Sequence, residues 1–289
     1  MTCNANITRW EGVGICSYLL INFWFRRVQA NKAATKALVM NIIGDWGMSV
    51  AMFALIAMTG DLDLTTVFSL ALLMEDNKLS LIAILLPTAA MAKSAQLVLH
   101  TWLPNAVEGS TPVSALIHAA TMVTVGVYLL LRASPLLEYS STPLLIITWI
   151  GALTAFFGAL SALLQNDLKR IIAYSTCSQL GYLVMLVGLS NYSTSLFHLV
   201  DHAHFKALLF LSAGVVIHAL NDEQDMRKMG AGFYLKDFIL EVAYGQYLFT
   251  GGNAYYMVMS LPLIVLALAN ILIGYLTKDM FIHLNIHLT

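Results

Sequence analysis

Apolar residues in this chain come in long unbroken runs, not in the alternating stripes of a soluble domain. Each run is close to the length a helix needs to cross a bilayer. The runs predict spans at about Trp10–Phe25, Ala37–Met58, Leu79–His100, Pro112–Leu131, Leu144–Leu164, Ile171–Leu189 and Ser195–Leu220. A weaker segment, Gly232–Phe249, is interrupted by Lys236, Asp237 and Glu241, and a last clear span runs from about Tyr255 to Leu276. Asp61–Lys78 is too polar at its ends to span and reads as a loop with an apolar surface patch. The expected fold is an all-α, polytopic transmembrane helix bundle of about 8–9 spans.

Loop charge orients these spans. Alternating them places Arg26, Arg27, Lys32, Lys36, Lys169, Arg170, Arg227 and Lys228 on one side. The other side receives Arg9, Lys78 and Arg132. Under the positive-inside rule the first group faces the cytoplasm or matrix.

The chemistry sits where the apolar pattern is broken from within. Ser195–Leu220 is long enough to cross, yet it carries His198, Asp201, His202, His204, Lys206 and His218. His198, His202 and Lys206 follow one another at i, i+4 and i+8, so they form one polar stripe on an apolar cylinder. A charge near the bilayer centre costs at least about 2.5 kcal/mol, so these groups are expected to face protein or a water-filled path. Lys93 interrupts the third span between Pro87 and Pro104. Each proline deletes a backbone hydrogen bond, so a break or kink is expected nearby, as in the broken helices of transporters. Glu11 opens the first span, and His118 sits about two turns into the fourth.

Lysine desolvated by burial and histidine near neutrality can both gain and lose a proton, so this array suggests a proton or cation route. A carboxylate such as Glu11 beside Lys93 would hold that lysine charged, and separating the two would favour proton release. Taken alone, His118 reads as a hydrogen-bonded structural histidine, Asp45 as a helix–helix hydrogen-bonding acid and His218 as interfacial.

Composition agrees. Hydrophobic residues make up 59% of the 289 and charged residues 11%, with a mean hydropathy of +0.76; a soluble domain is about 25% charged. Net charge is -1, which argues against nucleic acid as a partner. Cys3, Cys16 and Cys177 are scattered with no CxxC pair, so neither a metal knuckle nor a disulfide framework is indicated. No GxGxxG follows a strand pattern, which argues against a Rossmann or other nucleotide-binding enzyme. MTCNANITRWEG lacks a basic n-region followed by an apolar core, so insertion is expected to be driven by the spans themselves.

Five stretches carry a family resemblance: WEGVGICSYLL, AKSAQLVLHTWLPNAVEGSTPVSALIHAATMVTVGVYLLLR, QNDLKRIIAYSTCSQLGY, FHLVDHAHFKALLFLSAGVVIHALNDEQDMRKMG and IGYLTKDMF. They resemble the antiporter-like chain 5 family of NADH:ubiquinone oxidoreductase, respiratory complex I, which is related to subunits of multi-subunit Na+/H+ antiporters. The resemblance implies a proton-translocating membrane-arm subunit without a redox centre of its own. It implies that Glu11 and Lys93 form the acid–lysine pair of a first half-channel, that His118 bridges, and that His198, His202 and Lys206 form a central relay. It also implies that Lys236, in GFYLKD, is the lysine of a second broken helix near the outlet.

By the same resemblance, residues 1–165 are a first antiporter-like half and 166–289 a second. NADH, FMN, iron–sulfur clusters and ubiquinone belong to other subunits, and this chain binds no cofactor or metal beyond lipid. The implied partners are other complex I membrane-arm subunits in a mitochondrial inner membrane, with a bacterial plasma membrane as the alternative location. A subunit of a stand-alone Na+/H+ antiporter and a structural assembly subunit with a decayed channel are the alternative functions.

The chain departs from the family pattern in several places. Helices before WEG are missing, about one spanning helix is missing between Met229–Gly230 and Gly232–Phe233, a shortening falls between Phe249 and Tyr255, and the last helices are absent. The relay segment, usually THAFFK, here reads Asp201-His202-Ala203-His204-Phe205-Lys206, and Ile42 replaces the usual arginine in NIIGD. A split or incompletely represented subunit, with its missing parts on separate chains, is the expectation; a divergent, reduced subunit is the alternative.

Overall fold

The computed structural model describes residues 3–60, 62–71, 76–220, 222–228 and 254–284. These are helical throughout, with one isolated backbone bridge between Asp167 and Asp225. In chain order the helices are α1 (Cys3–Ile21), α2 (Val28–Thr59), α3 (Leu64–Leu70), α4 (Asp76–Lys93), α5 (Leu103–Ala106), α6 (Thr111–Ala115) and α7 (Met122–Arg132). They continue as α8 (Ser134–Leu137), α9 (Ser141–Leu163), α10 (Leu168–Gly188), α11 (Tyr192–Ala219) and α12 (Ala254–Leu284). A π-helical turn, Leu116–Ala120, separates α6 from α7.

Among the described residues, five stretches are long and apolar enough to cross a membrane: Val28–Thr59, Thr111–Arg132, Ser141–Leu163, Leu168–Gly188 and Tyr192–His218. They match five of the expected spans. The expected last span lies within α12, whose described apolar part is Leu261–Thr277. The weak segment Gly232–Phe249, and Lys236 with it, lies outside the described residues.

Two expectations are corrected and a third is refined. Leu79–His100 is not one continuous span: α4 stops at Lys93, and the chain turns through 94–99 into a short 3-10 turn at His100–Trp102. Pro87 is accommodated inside α4, so the break comes after the lysine, where Ala95 and Val98 take positive φ of 48° and 80°. Pro112–Leu131 stands as one span, Thr111–Arg132, and carries the π turn that holds His118. Asp61–Lys78 is not all loop, because α3 occupies Leu64–Leu70 and α4 begins at Asp76.

Small residues let two helices approach closely. Gly151 and Gly158 on α9 and Gly181 and Gly188 on α10 repeat every seven residues, so both pairs face the same seam. A methyl group at Gly181 would fall 2.5 Å from the Ala155 nitrogen, and one at Gly151 2.4 Å from the Met185 nitrogen. Outward, α9 presents Leu145, Trp149, Leu153, Phe156 and Leu160, all exposed, as a helix facing lipid does. α2 ends where Gly60, at φ 72°, returns its N–H to the Ile56 carbonyl, a left-handed cap that a side chain would strain.

Candidate functional site

Among the described residues, Lys169 is buried at the start of α10 (6% exposed), and four further lysine and histidine side chains are enclosed more deeply in the bundle: Lys93 (1% exposed), His118 (0%), His202 (0%) and Lys206 (2%). Such burial is costly unless the groups are paired or used. These four fall into two centres.

The first centre joins α1, α2 and α4. Lys93 Nζ stands 3.7 Å from Asp45 Oδ1, an ion pair longer than a hydrogen bond. It also lies 5.3 Å from the centroid of the Trp10 ring, whose Nε1–H donates to the same Asp45 oxygen at 2.7 Å. One indole therefore faces the cation with its π surface and holds the anion with its edge. Gly14 makes room, since a Cβ there would sit 3.0 Å from Lys93 Nζ.

Glu11 was the expected partner, yet the acid at ion-pair distance is Asp45. Trp10 and Glu11 are adjacent on α1 and so point about 100° apart. With Trp10 buried against Lys93, Glu11 is left exposed, though still within the electrostatic reach of both Lys93 and Asp45. The sequence reading of Asp45 as a helix–helix hydrogen-bonding acid holds, since it accepts from Trp10 on α1; what that reading lacks is Trp10 itself and the ion pair with Lys93. An acid in the middle of the Ala37–Met58 run was the available signal, because it needs a cation nearby. Ile42, where the family has arginine, lies on the outer face, 48% exposed.

The break after Lys93 is satisfied by side chains from three directions. Trp102 Nε1 donates to the Ala92 carbonyl at 2.9 Å, and Gln96 Nε2 donates to the Ser94 carbonyl at 3.1 Å. Thr154 Oγ1, on α9, accepts from the Leu97 N–H at 3.0 Å, and Cys177 Sγ, on α10, donates to the Ala95 carbonyl at 3.2 Å. Unwound backbone at membrane depth is tolerated only with such partners.

The second centre runs along α11. Lys206 Nζ donates to Ser175 Oγ at 2.6 Å and lies 3.5 Å from the Ile172 carbonyl, both on α10. His198 Nε2 meets Gln179 Oε1 at 2.8 Å, again on α10. His202 lies between them on the same face, and neither of its ring nitrogens has a protein hydrogen-bond partner. His118 reaches the next turn of α11 by stacking on Phe210, centroids 5.0 Å apart and planes 21° from parallel. Both of its ring nitrogens are also unpartnered, which overturns its reading as a hydrogen-bonded structural histidine. The π turn at 116–120 aims this ring at α11, as π bulges do at functional positions.

The structure thus gathers His118, His198, His202 and Lys206 and sets Lys93 apart with Asp45. Among the described residues, no side-chain hydrogen bond or ion pair joins Lys93 to His118. Asp201 and His204, the two additions to the relay motif, leave the stripe. Asp201 turns its carboxylate to α12, where a Cβ on Gly274 would sit 3.7 Å from both oxygens, and His204 Nδ1 donates to the Val200 carbonyl at 2.8 Å. His218 is exposed near the end of α11. Among the described residues no group of three or more His, Cys, Asp or Glu side chains is arranged to hold a metal ion.

Known proteins resemble this chain in sequence and fold. A family model described as "NADH:quinone oxidoreductase/Mrp antiporter, TM" matches residues 8–252. A protein of Rhizopus stolonifer named NADH-ubiquinone oxidoreductase chain 5 is 54% identical over 94% of this chain and 52% of its own length. Proteins of the same name from Metridium senile and Triticum aestivum are 50% and 47% identical, over 93% and 96% of this chain and 56% and 52% of theirs. The chain therefore spans about half the length of the curated relatives it matches. The Rhizopus match extends over 338 positions against a chain of 289 residues, so that relative carries additional residues inside the matched region.

Two solved structures are also similar. The Mrp complex from Dietzia sp. DQ12-45-1b is 36% identical with a TM-score of 0.69, covering 72% of this chain and 23% of that one. An archaeal respiratory membrane complex, the membrane-bound sulfane sulfur reductase, is 27% identical with a TM-score of 0.66, covering 72% and 36%.

Proposed function

The chain belongs to the NADH:quinone oxidoreductase/Mrp antiporter family of membrane proteins, and from that premise we propose that it is a proton-translocating membrane-arm subunit of an NADH:ubiquinone oxidoreductase. One observation carries the reading. His198, His202 and Lys206 lie in line on α11, His118 stacks one turn beyond, and the inner three are almost wholly enclosed. Two of those imidazoles have both ring nitrogens free of protein partners. Burying such groups costs about 1–3 kcal/mol each, a cost that packing alone would remove and a proton carrier must bear.

In this reading Lys93 is the gate of the first half, released or held by Asp45, with Glu11 as an outer acid. The second half is the α11 relay, with Lys236 toward the outlet. Residues 1–165 and 166–289 are the two halves. Electron transfer between NADH and ubiquinone, with its FMN and iron–sulfur clusters, takes place on other subunits of a complex in the mitochondrial inner membrane. Bound lipid covers the outer faces. The relatives of about half identity carry the chain 5 name, which favours this reading over a stand-alone antiporter.

Replacing Lys206 with alanine in the assembled complex tests it. Proton translocation per NADH oxidised is expected to fall while the complex still assembles; an unchanged stoichiometry would remove the relay.

A further inference from the structure

α10 and α11 run antiparallel, and polar links join them at three successive levels. Ser175 meets Lys206, Gln179 meets His198, and the Leu183 carbonyl accepts from Ser195 Oγ at 3.2 Å. Positions 175, 179 and 183 are spaced by four, so one stripe of α10 lies against the relay helix. Cys177 points the other way, to the Ala95 carbonyl in the break after Lys93.

The chemistry of the two polar contacts is one-sided. Gln179 Oε1 has only lone pairs to offer, so His198 Nε2 must carry the hydrogen between them. In the neutral ring this leaves Nδ1 as the basic nitrogen. Ser175 gives its own hydroxyl hydrogen to the Ile172 carbonyl at 2.8 Å, so toward Lys206 it too presents only lone pairs. Neither residue changes protonation state: Gln179 fixes which nitrogen of His198 does, and Ser175 fixes where Lys206 Nζ sits.

We infer that Ser175 and Gln179 are positioning residues of the α11 relay, and that Gln179 makes His198 a station loaded and unloaded at Nδ1 alone. A proton arriving at Nδ1 gives an imidazolium with both nitrogens protonated. The ring returns to neutral by releasing the Nδ1 proton, because the amide oxygen on Nε2–H is too weak a base to take one. His202 and His118, with no protein partner on either nitrogen, carry no such lock, so passage through the ring is confined to them. Ser175 holds the Lys206 ammonium on the α10 side of the stripe. The assignment rests on the transport reading above.

The test uses membranes holding the complete assembled complex. Gln179→Met keeps length and removes the acceptor; Gln179→Glu keeps an acceptor oxygen in place. Infrared difference spectra of the histidine ring modes report the tautomer, and proton translocation per electron pair is measured beside them. The hydrogen-bonded Nε2–H band of one histidine is expected to shift to its unbonded position in Gln179→Met and to stay bonded in Gln179→Glu, with translocation in Gln179→Met falling about tenfold or more. Ser175→Ala is expected to lower translocation and Ser175→Thr to restore it. Unchanged ring modes and an unchanged rate in Gln179→Met would overturn the assignment. The ring modes do not need translocation, so a complex that moves no protons would sink the transport reading while the tautomer assignment was still decided by the spectrum.

Discussion

Lys93 and Asp45 face each other across 3.7 Å where α4 meets α2, with the Trp10 indole bound to both. Removing one partner of a buried pair leaves an uncompensated charge and costs about 3–5 kcal/mol. Asp45→Asn is therefore expected to lower both thermal stability and translocation. Glu11→Gln, at an exposed position, is expected to leave stability within about 0.5 kcal/mol. Equal loss of melting temperature in the two variants of the purified complex would mean that Asp45 is not the structural partner.

His202→Leu separates stability from function. The imidazole is fully enclosed with neither nitrogen partnered, and an apolar side chain of similar volume removes that burden. The variant is expected to match or exceed the parent in heat resistance while losing translocation. A variant that melts earlier and still pumps would contradict both halves of this expectation.

Thr154 supports the break at a distance from either lysine. Its hydroxyl accepts the Leu97 N–H, so Thr154→Val leaves a backbone donor unmatched, at about 1–3 kcal/mol. Hydrogen–deuterium exchange of the 94–99 amides is expected to be faster in Thr154→Val than in Thr154→Ser, which keeps the acceptor. Equal exchange rates would show that the break holds itself.

The α9–α10 seam has no room for a side chain at Gly181, where even a methyl meets backbone at 2.5 Å. Gly181→Leu is expected to abolish assembly, and Gly181→Ala to weaken it by about 1–3 kcal/mol. Normal amounts of Gly181→Leu in the assembled complex would show the two helices to be further apart.

Outside the membrane, the 222–228 segment closes against the start of α10, with the Leu168 N–H on the Gln224 carbonyl and the Met226 N–H on the Asn166 carbonyl. Arg227 beside Asp225 holds that carboxyl down at about 2, below the ordinary value of about 4. A depressed carboxylate stabilises the fold above its unfolded value and stops doing so as pH falls through the folded one. Protease sensitivity of this segment is expected to stay flat down to about pH 4 and to rise only between there and about pH 2. Arg227→Gln is expected to raise the sensitivity above pH 4 and to shrink the rise below it, and an unchanged profile would mean that Arg227 does not hold the carboxyl.

Helix number and membrane character follow from runs of apolar residues, because lipid imposes the same demand at every point along a span. The α11 stripe follows from spacing alone, because a helix turns His198, His202 and Lys206 to one side wherever it sits. Partners are another matter. That Lys93 meets Asp45 rather than Glu11 depends on which way α1 rotates, and Trp10 sets that rotation by burying its ring. Where α4 ends depends on Trp102, Thr154 and Cys177, which lie 9, 61 and 84 positions further along the chain and satisfy the freed backbone. The ring nitrogen that His198 keeps for protons is chosen by a glutamine on another helix. Period and length are local properties of a chain, whereas ion pairs, helix ends and tautomers are fixed only when helices meet.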